Sequence, residues 1–248
     1  FLDLCPWRTK QSELLNEGLI LTENPEHIGT HPYHIAGLFY MQEPSAMSVV
    51  EAAEIAPGMR VLDLCAAPGG KSLTLAECMQ NQGKLISGEY VESRVPLLRK
   101  AFARCGVTCA EAVQNDAAQF RSDWGKFDRI LCDVPCSGLG VIAKKPDIRY
   151  KDLDGIENLL LSQQKILQNG ADLLAENGRL VYSTCTVNRD ENEEQVKTFL
   201  ENNPRFHVAV PALQLPGMQQ GEYGTLFLPH KTATDGFFAT ILETESTQ

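Results

Sequence analysis

The stretch Arg60-Val61-Leu62-Asp63-Leu64-Cys65, running into Ala66-Ala67-Pro68-Gly69-Gly70-Lys71-Ser72, constrains the fold more than any other. A short apolar run reads as a buried strand, the glycine pair turns the chain sharply, and a helical pattern follows to about Gln80. The alternation then repeats. Lys84 to Tyr90, Val107 to Gln114, Lys126 to Asp133 and Arg179 to Ser183 read as strands. Glu92 to Cys105, Asp152 to Leu174 and Glu191 to Leu200 read as helices, with Asn177-Gly178 closing the second. A helix from about Pro44 to Ala56 precedes the first strand, and the apolar run Phe237 to Leu242 comes last. Strands alternating with helices predict an α/β fold whose mostly parallel sheet is covered by helices on both faces. Ligands bind such sheets beyond the carboxyl ends of the strands, where the chemistry-bearing residues of this chain collect.

At 248 residues and 43% hydrophobic, the chain suits one large domain with a proper core. A net charge of -10 argues against a surface that is wholly a nucleic-acid clamp. A local basic groove stays open, and Lys144-Lys145-Pro146-Asp147-Ile148-Arg149-Tyr150-Lys151 is its clearest candidate. No apolar run nears the roughly 18–20 residues that span a bilayer, and no signal-peptide pattern is present, so no membrane partner is expected. The chain opens at Phe1, which reads as a cut. Eight cysteines in so core-rich a chain point to reduced thiols in a cytoplasmic enzyme rather than a disulfide scaffold. Neither the cysteine spacings nor the loop histidines His27, His31 and His34 make a zinc site, and no metal is expected.

The glycine loop admits two cofactors. Cys65 to Ser72 nearly matches a P-loop but lacks its first glycine, and Asp133 would then hold magnesium. Alternatively, a nucleoside cofactor rests on the loop and its ribose hydroxyls meet an acid at the end of the second strand. Glu89 stands there at roughly the 20-residue spacing of dinucleotide folds. A carboxylate accepts two hydroxyl protons and repels a triphosphate, so the ribose reading ranks first. A plain structural turn ranks last.

Two thiols mark other strand ends. Cys136 lies in Asp133-Val134-Pro135-Cys136-Ser137-Gly138, and Cys185 in Tyr182-Ser183-Thr184-Cys185-Thr186. A lone cysteine is usually a small buried hydrophobe, as Cys78 and Cys132 are expected to be. Strand-end placement among small polar neighbours fits that view poorly for this pair.

These three segments resemble signature motifs of the RNA cytosine-5 methyltransferases, the NOL1/NOP2/Sun family. Gln42-Glu43-Pro44-Ser45-Ala46-Met47 is similar to the motif preceding the family's cofactor domain, with a wording also found in the RsmF-type rRNA enzymes. Lys145-Pro146-Asp147-Ile148-Arg149 resembles the segment after the Pro-Cys loop in the RsmB (Sun/Fmu) enzymes, and Asp235-Gly236-Phe237-Phe238 resembles the final strand. The resemblance covers about residues 36–242.

It implies a Rossmann-like class I methyltransferase with a seven-stranded sheet whose last strand is antiparallel. It implies S-adenosylmethionine as cofactor and a cytosine in RNA, ribosomal for preference, as substrate, with tRNA as runner-up. A non-catalytic RNA-binding factor on the same fold is the alternative from another class. Cys185 becomes the nucleophile, Cys136 the residue tied to product release, and Asp133 a partner of the base edge, unless it only caps its loop. Lys71 would order the cysteine pocket; otherwise it is a solvated lysine. Cofactor contacts would come from Cys65, Ala66, Ala67, Pro68, Gly69, Gly70, Lys71, Glu89, Arg94, Asp116 and Asp133. An N-cap for Asp116 and a surface salt bridge for Arg94 are the plainer alternatives. Lys144, Lys145, Arg149 and Lys151 would grip RNA phosphates, or be a solvated loop. Residues 1–35 read as the remnant of an RNA-binding or linker segment, 36–248 as the catalytic domain, and the protein as a monomer.

Overall fold

The structure is a computed structural model, and it describes residues 5–12, 18–23, 25–150, 152, 154–210 and 216–244. A short hairpin, β1 (Thr9–Gln11) with β2 (Leu19–Leu21), precedes the single-turn helix α1 (Pro32–Ile35) and α2 (Pro44–Ala52). The alternating region follows: β3 (Arg60–Asp63), α3 (Gly70–Cys78), β4 (Lys84–Glu89), α4 (Val95–Arg104), β5 (Ala110–Gln114) and β6 (Phe127–Asp133). Then come α5 (Ile156–Leu173), β7 (Leu174–Thr184), α6 (Glu193–Asn202), β8 (Phe206–Ala209), β9 (Gln219–Gln220), β10 (Thr225–Phe227), α7 (Pro229–Thr232) and β11 (Phe237–Thr244).

β5, β4, β3, β6 and β7 pair in that order, all parallel, and β11 joins β7 antiparallel. The Rossmann-like class I fold and the antiparallel last strand are as expected. The strand count is not: among the described residues the sheet has nine strands rather than seven. β8 covers only the second half of β11, from Ile241 to Thr244. The first half would leave backbone groups unpaired, and β10 fills it against Phe237 to Ala239, with β9 beyond. A second departure lies at the α5–β7 junction. The helix ends at Leu173 and the strand starts at once, so Asn177-Gly178 does not close the helix. Asn177 takes φ 58 inside the strand, where the register with β6 shifts between Phe127 and Arg129. A left-handed residue followed by glycine serves a β-irregularity as well as a helix end.

Alternation within each strand divides the core. Leu62, Ile130, Cys132, Leu180 and Tyr182 face α5 and α6, through Ile166, Leu167, Val196 and Phe199. Val61, Leu131, Val181 and Ile241 face the other way, onto Val49, Val50, Leu75 and Ala76 of α2 and α3. Strand order reverses between β3 and β6, and such a switch point opens a crevice at the carboxyl ends. Asp63 and Asp133 end those two strands.

Candidate active site

The crevice is built from four strand ends. After β3, the Ala67–Pro68 peptide is cis and Gly69 takes φ 112, a conformation only glycine enters freely, before α3 begins. A Cβ on Gly70 would stand 3.0 Å from Tyr40, and 3.5 Å from the amide carbon of Gln42. The glycine pair thus lets the segment before α2 close behind the loop as well as a ligand approach its front. The first N–H groups of α3 face the crevice as an anion-friendly rim. Arg94 crosses from its own turn to Glu89 Oε1 at 3.4 Å and to the Ala67 carbonyl at 3.2 Å, tying the loop to the end of β4.

Three buried polar atoms around this loop lack a partner among the described residues: Asp63 Oδ1, Asn115 Nδ2 and Gln42 Nε2. Asp63 Oδ2 accepts the Ser72 hydroxyl at 2.6 Å, and burial pushes its carboxyl up to about 6. Orphaned buried atoms are destabilising by about 1–3 kcal/mol each. One acceptor and two donors left open around a glycine cradle match a ligand that carries both.

On the other side of the crevice, Cys136 Sγ and Cys185 Sγ are in contact at 3.2 Å. Asp133 lies beside them, accepting Lys71 Nζ at 2.8 Å on Oδ2 and the Ser183 hydroxyl at 2.8 Å on Oδ1. Lys71 Nζ also sits 5.6 Å over the Phe237 ring. Burial works against the Lys71 ammonium, but the Asp133 charge and hydrogen bond outweigh it and hold its pKa up. The hydrogen bond shared with Cys136 lowers the pKa of Cys185; burial and Asp133 oppose this, and the Lys71 ammonium assists it. The same hydrogen bond, with burial, pushes Cys136 up. The contact thus shifts the two thiols in opposite directions, Cys185 down and Cys136 up. Cys65 and Cys132 are pushed up by burial and stay inert.

Two thiols in contact and a carboxylate–ammonium pair thus share one switch point with the glycine loop. A family model described as 16S rRNA methyltransferase RsmB/F matches residues 51–243. The chain belongs to this family. It is 39% identical over 221 residues to the probable ribosomal RNA small subunit methyltransferase B of Bacillus subtilis, covering 85% of this chain and 48% of that relative. To the ribosomal RNA small subunit methyltransferase F of Cronobacter sakazakii it is 38% identical over 227 residues, 87% of this chain and 46% of the relative. The chain thus spans about half the length of the curated relatives it matches. Among solved structures, NSun6 from Pyrococcus horikoshii with SFG superposes with a TM-score of 0.81 at 28% identity, covering 90% of this chain and 57% of that one. Membership in the RsmB/F family removes the P-loop alternative for Cys65–Ser72.

In this RsmB/F chain Cys65–Lys71 follow β3, Glu89 and Asp133 end β4 and β6, and Arg94 reaches Glu89. S-adenosylmethionine fits the open atoms: the Asp63 carboxylate suits its ammonium, and the Asn115 donor suits an acceptor on it. Two expected residues are otherwise engaged. Asp116 spends Oδ1 on the Ala118 N–H at 3.0 Å and Oδ2 on Gln119 at 3.0 Å, closing its own turn. Lys144 is held by Asp235 at 2.8 Å. Lys145 and Arg149 are exposed on or beside a 3-10 turn, Pro146–Tyr150, whose Ile148 lies against Gly138 next to Cys136. Lys151 lies outside the described residues.

Sequence reasoning assigned no role to Asp63, Gln42, Asn115, Gln163, Glu191 or Asn192. Glu191 and Asn192 are fully buried, although they sit in the polar run Asn188 to Glu194 that looks solvated. No sequence signal marks Glu191, because it lies in a 3-10 turn ahead of α6 and Asn192 breaks the helical period between them. Glu43, whose Oε2 caps α2 at Ser45 and Ala46, uses Oε1 for the Asp235 N–H at 2.9 Å, and so joins two of the resembling motifs.

Proposed function

We propose that this chain transfers a methyl group from S-adenosylmethionine to carbon 5 of a cytosine in RNA, with 16S ribosomal RNA as the substrate. The observation that carries the reading is the contact of two unlike thiols beside the Lys71–Asp133 pair. Carbon 5 of cytosine is a poor nucleophile. The Cys185 thiolate adds to carbon 6, the ring double bond opens, and electron density reaches carbon 5. Bound S-adenosylmethionine supplies an electrophilic methyl. Asp133, already fixed by Lys71 and Ser183, holds a proton at the base's N3 or amino edge as the adduct forms. Cys136, beside Cys185 at 3.2 Å, gives up its own proton to solvent once Cys185 is bonded to carbon 6, and as thiolate takes the carbon-5 proton. The double bond then re-forms and Cys185 leaves carbon 6.

Glu89 would take the ribose hydroxyls, with Arg94 beside it. Asp116 would meet the adenine amine by turning from Gln119, and the loop from Cys65 to Lys71 would hold the amino-acid end. A base reaching a sheet end must be single-stranded or flipped out, at a cost of a few kcal/mol. Lys145 and Arg149, next to the Cys136 loop, would hold its phosphates, with Lys144 and Lys151 at the margin. Residues 36–248 are the catalytic domain, and residues 1–35 serve RNA binding or linkage. We read the protein as a cytoplasmic monomer; among the described residues no helix is long and apolar enough to cross a membrane.

The test is a pair of variants incubated with S-adenosylmethionine and unmodified small-subunit ribosomal RNA. Cys136→Ala is expected to accumulate a protein–RNA adduct stable to denaturation, and Cys185→Ala to form none. Adduct in Cys185→Ala and none in Cys136→Ala would reverse the two assignments.

A further inference from the structure

Two adjacent residues hold the two thiol loops. Residues Arg189–Glu191 form one 3-10 turn ahead of α6, anchored to β7 by the Tyr182 hydroxyl, which donates to the Glu191 carbonyl at 2.6 Å. Glu191 Oε2 accepts the Ser137 N–H at 2.8 Å and the Gln163 amide at 3.0 Å. That same Gln163 nitrogen donates to the Pro135 carbonyl at 2.9 Å. Both chain neighbours of Cys136 therefore hang from Glu191 and Gln163. Asn192 serves the other thiol. Its Oδ1 accepts the Thr184 hydroxyl at 2.6 Å, and its Nδ2 donates to the Thr186 carbonyl at 3.1 Å. Both chain neighbours of Cys185 hang from Asn192.

We propose that Glu191 and Asn192 are positioning residues with separate duties, Glu191 setting Cys136 for release and Asn192 setting Cys185 for attack. The proposal rests on the roles given to the two cysteines above. A carboxylate buried among neutral donors is a poor choice for holding a fold, because removing it from water is costly. It is a good choice for gathering several N–H groups at one point. Glu191 takes its third partner, Asn188 Nδ2 at 3.1 Å, on Oε1. A glutamine there would aim its own N–H groups at one of these donors. The Ser137–Thr186 hydroxyl contact at 2.8 Å and the Gly140 N–H on the Cys185 carbonyl at 3.0 Å join the loops to each other. They do not say which loop each neighbour of Glu191 sets, and the polar contacts of Glu191 and Asn192 do.

The experiment compares Glu191→Gln and Asn192→Ala in the full chain, with S-adenosylmethionine and an unmodified transcript of small-subunit ribosomal RNA. Methyl transfer and denaturation-stable adduct are both measured, alongside melting temperature. Glu191→Gln is expected to slow turnover roughly tenfold while adduct builds up, as in Cys136→Ala. Asn192→Ala is expected to lose adduct and methyl transfer together. Parallel loss of adduct and turnover in Glu191→Gln would overturn the proposal, and so would adduct build-up in Asn192→Ala. Should Glu191→Gln fail to fold, Gln163→Met decides: it removes the amide from Pro135 and keeps the carboxylate, and it is expected to accumulate adduct more weakly. No accumulation there overturns the assignment to Glu191. Cys136→Ala is the control: no adduct in it defeats the release role itself, whereas adduct in it beside normal turnover in Glu191→Gln defeats only the positioning.

Discussion

The two sides of the crevice are finished to different degrees. Around the glycine loop, Asp63, Asn115 and Gln42 each leave a buried polar atom open. Around the thiols, Asp133, Ser137, Thr184, Thr186, Glu191 and Asn192 are bonded to one another or to Lys71 and Ser183, and among the described residues Gln163 Oε1 and, farther out beside the same turn, Gln195 Oε1 lack a partner. On the proposed function, the difference follows from what each side would handle. A dissociable cofactor brings its own donors and acceptors, so its site is completed on binding. Covalent chemistry requires sulfur placed before the base arrives, and that placement has to come from the protein.

The largest test of this contrast is Lys71→Met, which strips the thiol side of its cation. Asp133 would then stand uncompensated next to Cys185. Methyl transfer should fall roughly 100-fold. The Lys71 ammonium helps to hold Cys185 low, so its loss raises the thiol and moves the acid limb of the pH–rate profile to higher pH. An acid limb that stays in place would show that Lys71 acts elsewhere.

Next in size is Asp63→Asn, on the cofactor side. Burial raises this carboxyl from 3.8 to about 6, so the folded state keeps its proton longer than the unfolded one. Stability of the ligand-free protein therefore falls as pH rises from about 4 to about 6, by up to ~3 kcal/mol. The asparagine abolishes that loss and should melt higher than wild type at pH 8, and little differently at pH 4. S-adenosylhomocysteine binding, measured by calorimetry at pH 8, should weaken about tenfold, because a charge partner for its ammonium is gone. Unchanged affinity would mean that the open Asp63 oxygen does not face the cofactor.

The smallest effect belongs to the rim. Arg149→Ala or Lys145→Ala should weaken RNA binding a few-fold and flatten the dependence of log K on log salt by about 0.7 for each phosphate left unneutralised. A slope equal to wild type would remove these side chains from the RNA path.

Much of this was legible in the chain, for reasons that also explain what was not. Apolar runs at strand period and glycine-ended helices mark β3 to β7, because burial on both faces imposes that pattern. The strand-end motifs placed Cys136, Cys185, Asp133 and the glycine loop in one crevice, since parallel strands deliver their carboxyl ends to one side. β9 and β10 were invisible: two or three residues long, they exist because β8 leaves half of β11 unpaired. Asn177-Gly178 misled because a left-handed residue before glycine closes helices and kinks strands alike. Glu191 was hidden by its acidic neighbours, and only its partners, distant in sequence, draw it inside. Asp116 shows the converse, an acid at the right strand end whose oxygens are taken up locally.

The 3.2 Å separation of the two sulfurs also bears on redox state. A disulfide needs them only about 1 Å nearer. On the proposed roles, a two-electron oxidant such as a peroxide, itself reduced, would join the two sulfurs in one cross-link and block attack and release together, and a thiol reductant would restore both. On those roles, methyl transfer by a partly oxidised preparation should rise on treatment with a thiol reductant.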